Sequence, residues 1–176
     1  RMLDELCPEK PSDILVVHHF LGAGGTPDIV PDAKGSIIGM TMDTGLVDIY
    51  RAVMEGLTFE MAYNLEKLSE QGISVRQLMA TGGGASSSVW LGIKADIFGS
   101  LCGIESLAPL AADEAGAAGC AMMAGCALGR FNSLREAAEI FVEYKRPAYP
   151  DFKYKEVYLE KNEKYKTIRN CTLDLF

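Results

Sequence analysis

The stretch Leu78-Met79-Ala80-Thr81-Gly82-Gly83-Gly84-Ala85-Ser86-Ser87-Ser88-Val89-Trp90 decides how the rest of the chain is read. Residues 78–80 form an apolar run too short for a helix, and read as a buried strand. Three glycines then free the backbone for positive φ and for close approach of a ligand. Ser86, Ser87 and Ser88 offer N-cap hydroxyls. Val89, Ile93 and Ile97 recur at i, i+4 and i+8, which predicts a helix running to about Phe98. A strand, a glycine turn and a helix start leave unpaired N–H groups at the positive end of the helix dipole. That arrangement suits a phosphate or a ribose-phosphate. A tight turn that serves only to seat the helix on the sheet is the equal alternative.

Working outward, residues 14–17 are β-branched and predict a strand. His18 and His19 follow, each expected to make local hydrogen bonds, with a general base as the other reading. Residues 22–27, Gly-Ala-Gly-Gly-Thr-Pro, form a loop, and residues 36–40 return as a strand. Thr44 is placed to cap the next helix, whose apolar face is Leu46, Ile49, Val53, Leu57 and Met61. Arg51 and Glu55 at i, i+4 read as a solvated pair. Gly72 ends that helix. Beyond the central motif, Gly99 is read as the next helix stop and residues 101–107 as a strand. Asp96, late in its helix, hints at a tertiary partner.

Asp113 and Glu114 then open a helix of small residues from Ala115 to Gly129. Gly116 and Gly119 cost about 1 kcal/mol each there relative to alanine, so something is expected to lie close against them, either the first helix or a ligand, with packing as the first reading. Ser133 with Glu136 reads as a capping box. Residues 146–150 are extended, and residues 153–169 form a charged helix.

The 176 residues suffice for one domain, residues 1–176, with a sizeable core. A 48% hydrophobic content and 18 glycines fit an α/β protein. The formal charge of −7 argues against nucleic acid or an anionic membrane as partner. Cys7, Cys102, Cys120, Cys126 and Cys171 are odd in number and form no C-x-x-C pair. They read as reduced cytoplasmic thiols, with Cys120 and Cys126 as small core residues and no metal site. The abrupt, charged start at Arg1 suggests a piece of a longer chain.

Several of these segments together resemble the carboxy-terminal half of the FGGY carbohydrate kinases. The landmarks come in the family's order: residues 20–27 ending in Thr26-Pro27, the strand after Lys34-Gly35, and the Arg51-Ala52-x-x-Glu55-Gly56 helix. The Thr81–Trp90 motif with Lys94-Ala95-Asp96 and the helix from Glu114 complete the set. The resemblance implies an actin-like, ribonuclease H-like ATPase domain, with a mixed sheet flanked by helices. It implies that Gly82, Gly83, Gly84, Ala85 and Ser87 contact ATP, and that the Ala115 helix shapes the adenine side of the cleft. It also implies Mg²⁺, held mainly by the phosphates and by an amino-terminal domain absent from this chain. That domain carries the sugar site and the general base, so none of Asp43, Asp48, Asp96 or Asp113 is assigned that role. The implied acceptor is a sugar or polyol, first a ketopentose such as xylulose, and this chain alone is expected to be inactive. Gly92 departs from the family's glutamine.

Two rivals stand beside this. Gly82-x-Gly84-x-x-Ser87, with Glu105 some twenty residues on, approaches a Rossmann dinucleotide fingerprint. Alternatively the chain is a non-catalytic interaction module whose small-residue helix forms a homodimer or interdomain face.

Overall fold

The computed structural model describes residues 2–23, 29–111 and 114–175. The expected positions Gly24 to Pro27 and Asp113 lie outside them. In chain order the elements are α1 (Met2–Leu6), β1 (Leu15–Val17), β2 (Ser36–Ile38), α2 (Leu46–Glu70) and β3 (Gln77–Ala80). There follow α3 (Ser88–Cys102), β4 (Ser106–Pro109), α4 (Ala115–Ala127), α5 (Leu134–Phe141) and α6 (Lys155–Asp174). One mixed sheet was the expectation. Among the described residues the strands form two separate pairs, β1 with β2 antiparallel and β3 with β4 parallel.

Helix α2 is the axis of the domain. Its first free N–H, on Gly45, donates to the Asp48 carboxylate at 2.9 Å, so Gly45 rather than Thr44 is the cap. Thr44 instead accepts from the Thr41 N–H. At the other end Gly72 takes φ +81°, and the Ile73 N–H closes on the Leu68 carbonyl. The expected apolar stripe is only part of what α2 buries, and Leu46 and Met61 are exposed. From Arg51 to Ala62 almost every side chain is enclosed, because β1, α3 and α6 all pack on this helix. A Cβ on Gly56 would collide with the Val16 carbonyl of β1. Phe59, Ile97, Phe98, Ile104, Tyr158 and Tyr165 make the core, with Phe59 stacked on Tyr165 at 5.5 Å.

The same enclosure overturns the solvated reading of Arg51 and Glu55. Both are buried, and their ion pair measures 2.8 Å. Arg51 also donates to the Pro8 carbonyl at 2.6 Å and to the Tyr158 hydroxyl at 3.0 Å. Glu55 accepts from Lys161 at 2.5 Å and from the Ser12 N–H at 3.2 Å. One turn further along, Glu60 takes two-pronged hydrogen bonds from Arg169 at 2.9 and 3.1 Å and another from Tyr165 at 2.7 Å. Helix α6 is therefore seated by two buried charge pairs, Lys161 with Glu55 and Arg169 with Glu60, each backed by further hydrogen bonds.

Three further expectations change, and one, the tertiary partner of Asp96, holds. Helix α3 runs through Gly99 to Cys102 and stops at Gly103, which takes φ +68°. Gly99 is there because Pro150 lies against it, where any Cβ would clash. Residues 101 and 102 are consequently helical and the strand starts at Ser106. Asp96 has its partner: it accepts from the Asp151 N–H at 2.7 Å. Ser133 caps α5 as read, but Glu136 reaches back to the Asn132 N–H at 2.8 Å rather than closing the box on Ser133.

Candidate functional site

Strands β3 and β4 run parallel, paired from Gln77 with Ser106 to Ala80 with Pro109. The Leu110 N–H extends the pairing to the Ala80 carbonyl at 2.8 Å. Both strands therefore deliver their following segments to one end: the glycine turn leading into α3, and the segment leading into α4. Open α/β folds place ligands at the carboxyl ends of parallel strands in this way.

Gly82 enters the turn with φ +78°, a conformation that favours glycine. Residues 83–85 make one 3₁₀ turn, closed by the Ala85 N–H on the Gly82 carbonyl at 2.9 Å and the Ser86 N–H on the Gly83 carbonyl at 3.1 Å. The three glycines differ in surroundings. Side chains on Gly82 or Gly83 would meet nothing within 4 Å, whereas one on Gly84 would lie 2.6 Å from the Trp90 ring. The indole thus floors the turn, and the Gly82–Gly83 backbone faces open space. Gly92, one turn into α3, also faces open space.

Ser87 is the N-cap of α3, its Oγ accepting from the Trp90 N–H at 3.1 Å. The same hydroxyl donates to Asp4 at 3.1 Å, and Asp4 also accepts from the Tyr50 hydroxyl at 2.7 Å. Ser87 thereby ties α1 to the turn. A small apolar hollow of about 130 Å³ lies beside α4, walled by Leu110, Ala118, Met122 and Phe141. Since Leu110 is bonded to the last residue of β3, hollow and glycine turn open at the same end of the strand pair.

Helix α4 itself is a correction. None of its residues is buried, and Gly116 and Gly119 meet nothing within 4 Å, so the expected packing is absent among the described residues. Cys120 is exposed and Cys126 half-buried, so neither is a core residue; all five cysteines are free. Small residues all round gave no stripe to say which side faced the body. Only Gly125 is pressed, against Phe131.

Glu105, the acid of the Rossmann reading, precedes β4 and sits by Arg76 at the opposite end of the strands from the turn. It cannot reach a ribose there. The local hydrogen bonds expected of the histidines are missing at three buried nitrogens, His18 Nδ1 and both ring nitrogens of His19; His19 Nε2 lies 3.6 Å from the Glu60 carboxylate instead. No helix among the described residues is long and apolar enough to cross a membrane.

Comparison with known proteins agrees with this geometry. Residues 3–128 match the model of the FGGY family of carbohydrate kinases, C-terminal domain. A xylulose kinase of Bacillus subtilis is 33% identical over 171 residues, covering 97% of this chain and 33% of that protein. A glycerol kinase of Saccharolobus islandicus is 34% identical over 134 residues, 76% of this chain and 26% of the relative. The solved ligand-bound xylulose kinase of Lactobacillus acidophilus superposes with a TM-score of 0.78 at 22% identity, over 97% of this chain and 33% of that one. The chain spans about a third of the length of the curated relatives it matches. The fold is that of the actin-like sugar kinases, and the chain belongs to the FGGY family of carbohydrate kinases, whose C-terminal domain it carries.

Proposed function

We propose that this chain is the nucleotide-binding part of an ATP-dependent carbohydrate kinase. The backbone of Gly82, Gly83, Gly84 and Ala85 holds the adenosine and adjacent phosphate of ATP, with the hollow by α4 taking the adenine. The observation that carries this reading is the unobstructed Gly82–Gly83 backbone at the shared carboxyl end of β3 and β4. Backbone N–H groups at a helix start hold anions without lysines, which suits a chain of charge −7. Ser87 acts here by fixing the turn, and its hydroxyl can donate to the nucleotide only by leaving Asp4.

The parent protein transfers the γ-phosphate of ATP to a hydroxyl of a small sugar, with a ketopentose such as xylulose as the first candidate. The xylulose kinases among the relatives support that choice. Mg²⁺ would neutralise charge between the phosphates, held by them and by the rest of the parent. In-line transfer needs groups on both sides of the phosphate, so this chain alone binds nucleotide weakly and does not turn over. Leu21, Met42 and Leu128 are exposed apolar residues that the rest of the parent, or a second copy, would cover.

Gly83→Val tests the reading cleanly, because its Cβ meets no protein atom and its φ needs no glycine. The variant keeps the wild-type thermal midpoint and loses ATP binding by calorimetry or saturation-transfer NMR. Undiminished ATP affinity in a folded Gly83→Val would refute the proposed contact. Sugar-dependent ADP release by the isolated chain would refute its inactivity.

A further inference from the structure

Between the segment after β1 and helices α2 and α3 lies a second cavity, of about 250 Å³. Its polar lining is His18, His19, Glu60, Asn64 and Lys94, with Trp90 as an apolar wall. Buried polar atoms in proteins are nearly always hydrogen-bonded, and each exception needs a reason. Here several exceptions share one cavity: His18 Nδ1, His19 Nδ1 and Asn64 Oδ1 have no hydrogen-bond partner, and His19 Nε2 has only the Glu60 carboxylate near it, at 3.6 Å. His19 is 3% exposed.

Lys94 adds the charge. It is 8% exposed, and its ammonium lies over the Trp90 indole at 3.9 Å from the ring centre. Burial pulls its pKa down, with no carboxylate acting against that. Burial likewise lowers His18, so its ring stays neutral and offers one donor and one acceptor. The single carboxylate in the lining, Glu60, is paired with Arg169 and stands 3.6 Å from His19 Nε2, so Lys94, His18 and His19 Nδ1 are the groups left to face an anion. A larger groove of about 360 Å³ by Pro8, Ser12 and Arg51 makes the contrast, since those residues already spend their polar atoms on one another and on Asp48 and Glu55.

We infer that this cavity is a binding site for a small oxyanion of the phosphate class, held by Lys94 and the two histidines. The anion gives Lys94 a counter-charge, and its protonated oxygen donates to Asn64 Oδ1. A neutral apolar guest would leave every one of these groups unpaired, at a cost for each. The far side of the site's wall is also the floor of the glycine turn, because Trp90 touches both. The inference does not depend on the nucleotide reading.

Three residues make the test direct. His18 and His19 are the chain's two histidines, and Trp90 is its one tryptophan. Titration with inorganic phosphate in otherwise anion-poor buffer moves both imidazole NMR signals and the indole fluorescence along one saturable curve. Lys94→Met weakens that affinity about tenfold or more, while Gly83→Val leaves it unchanged. Wild-type signals that stay put overturn the inference. So does a response that survives Lys94→Met, or one that Gly83→Val abolishes, which would put phosphate at the turn instead. Should Lys94→Met fail to fold, the two wild-type imidazole signals decide the matter alone: both must shift together.

Discussion

At Gly56 an added Cβ would run into the Val16 carbonyl, while at Gly83 it would meet nothing within 4 Å. Both glycines belong to motifs that mark the family, and they do opposite work. Gly56 lies in the sealed half of the domain, where α2 touches β1 backbone to backbone and α6 is locked on by buried ion pairs. Gly83 lies in the bare half with α4, where backbone is left uncovered. The difference teaches how to read glycine. Where a neighbour fills the space, glycine serves packing; where nothing does, it keeps space for something outside the chain.

The comparison breaks most violently at Gly56. Gly56→Val drives a methyl group into a strand carbonyl that no rotamer change can move. The expected loss is about 4 kcal/mol, at the upper end for overpacking, and chemical denaturation should find the variant largely unfolded. A stable Gly56→Val would mean that α2 and β1 are not in contact there.

Next in size is Glu60, which anchors α6. Burial pushes its pKa up, but hydrogen bonds from Arg169 and Tyr165 and the Arg169 charge outweigh this, holding it below the ordinary value of 4.5. A depressed carboxylate contributes stability above its unfolded pKa and loses it as pH falls through the folded value. Stability should therefore fall as pH drops below about 4.5, and Glu60→Gln should flatten that fall. At neutral pH the variant should lose about 3 kcal/mol, because Arg169 stays buried without its counter-charge. Matching acid limbs for wild type and variant would remove Glu60 from the pH dependence.

How much of this could be read beforehand divides along the same line. The strand, turn and helix around Gly82, a cap among Ser86, Ser87 and Ser88, and the stops at Gly72 and Gly129 follow from short-range rules, and the actin-like fold from the resemblance of the ordered motifs to the family's. What hid was tertiary. Arg51 and Glu55 at i, i+4 say only that two side chains share a face; that α6 would cover this face depends on Lys161 and Tyr158, more than a hundred residues away. Gly99 looks like a helix stop until Pro150 arrives beside it. His18, Asn64 and Lys94 come from three elements and gather only in the fold.

The smallest effect sharpens the bare side. In a helix interior with open space before it, glycine weakens the helix through backbone entropy alone, so alanine should help. Gly116→Ala with Gly119→Ala should gain about 1–2 kcal/mol together, raising the thermal midpoint by a few degrees. The sign is the informative part. Stabilisation keeps α4 as an uncovered wall whose small residues serve a ligand or a neighbouring domain, and a binding cost for ATP should then accompany the gain. Destabilisation would mean that something in this chain already rests on Gly116 or Gly119, and α4 would move to the sealed side with Gly56.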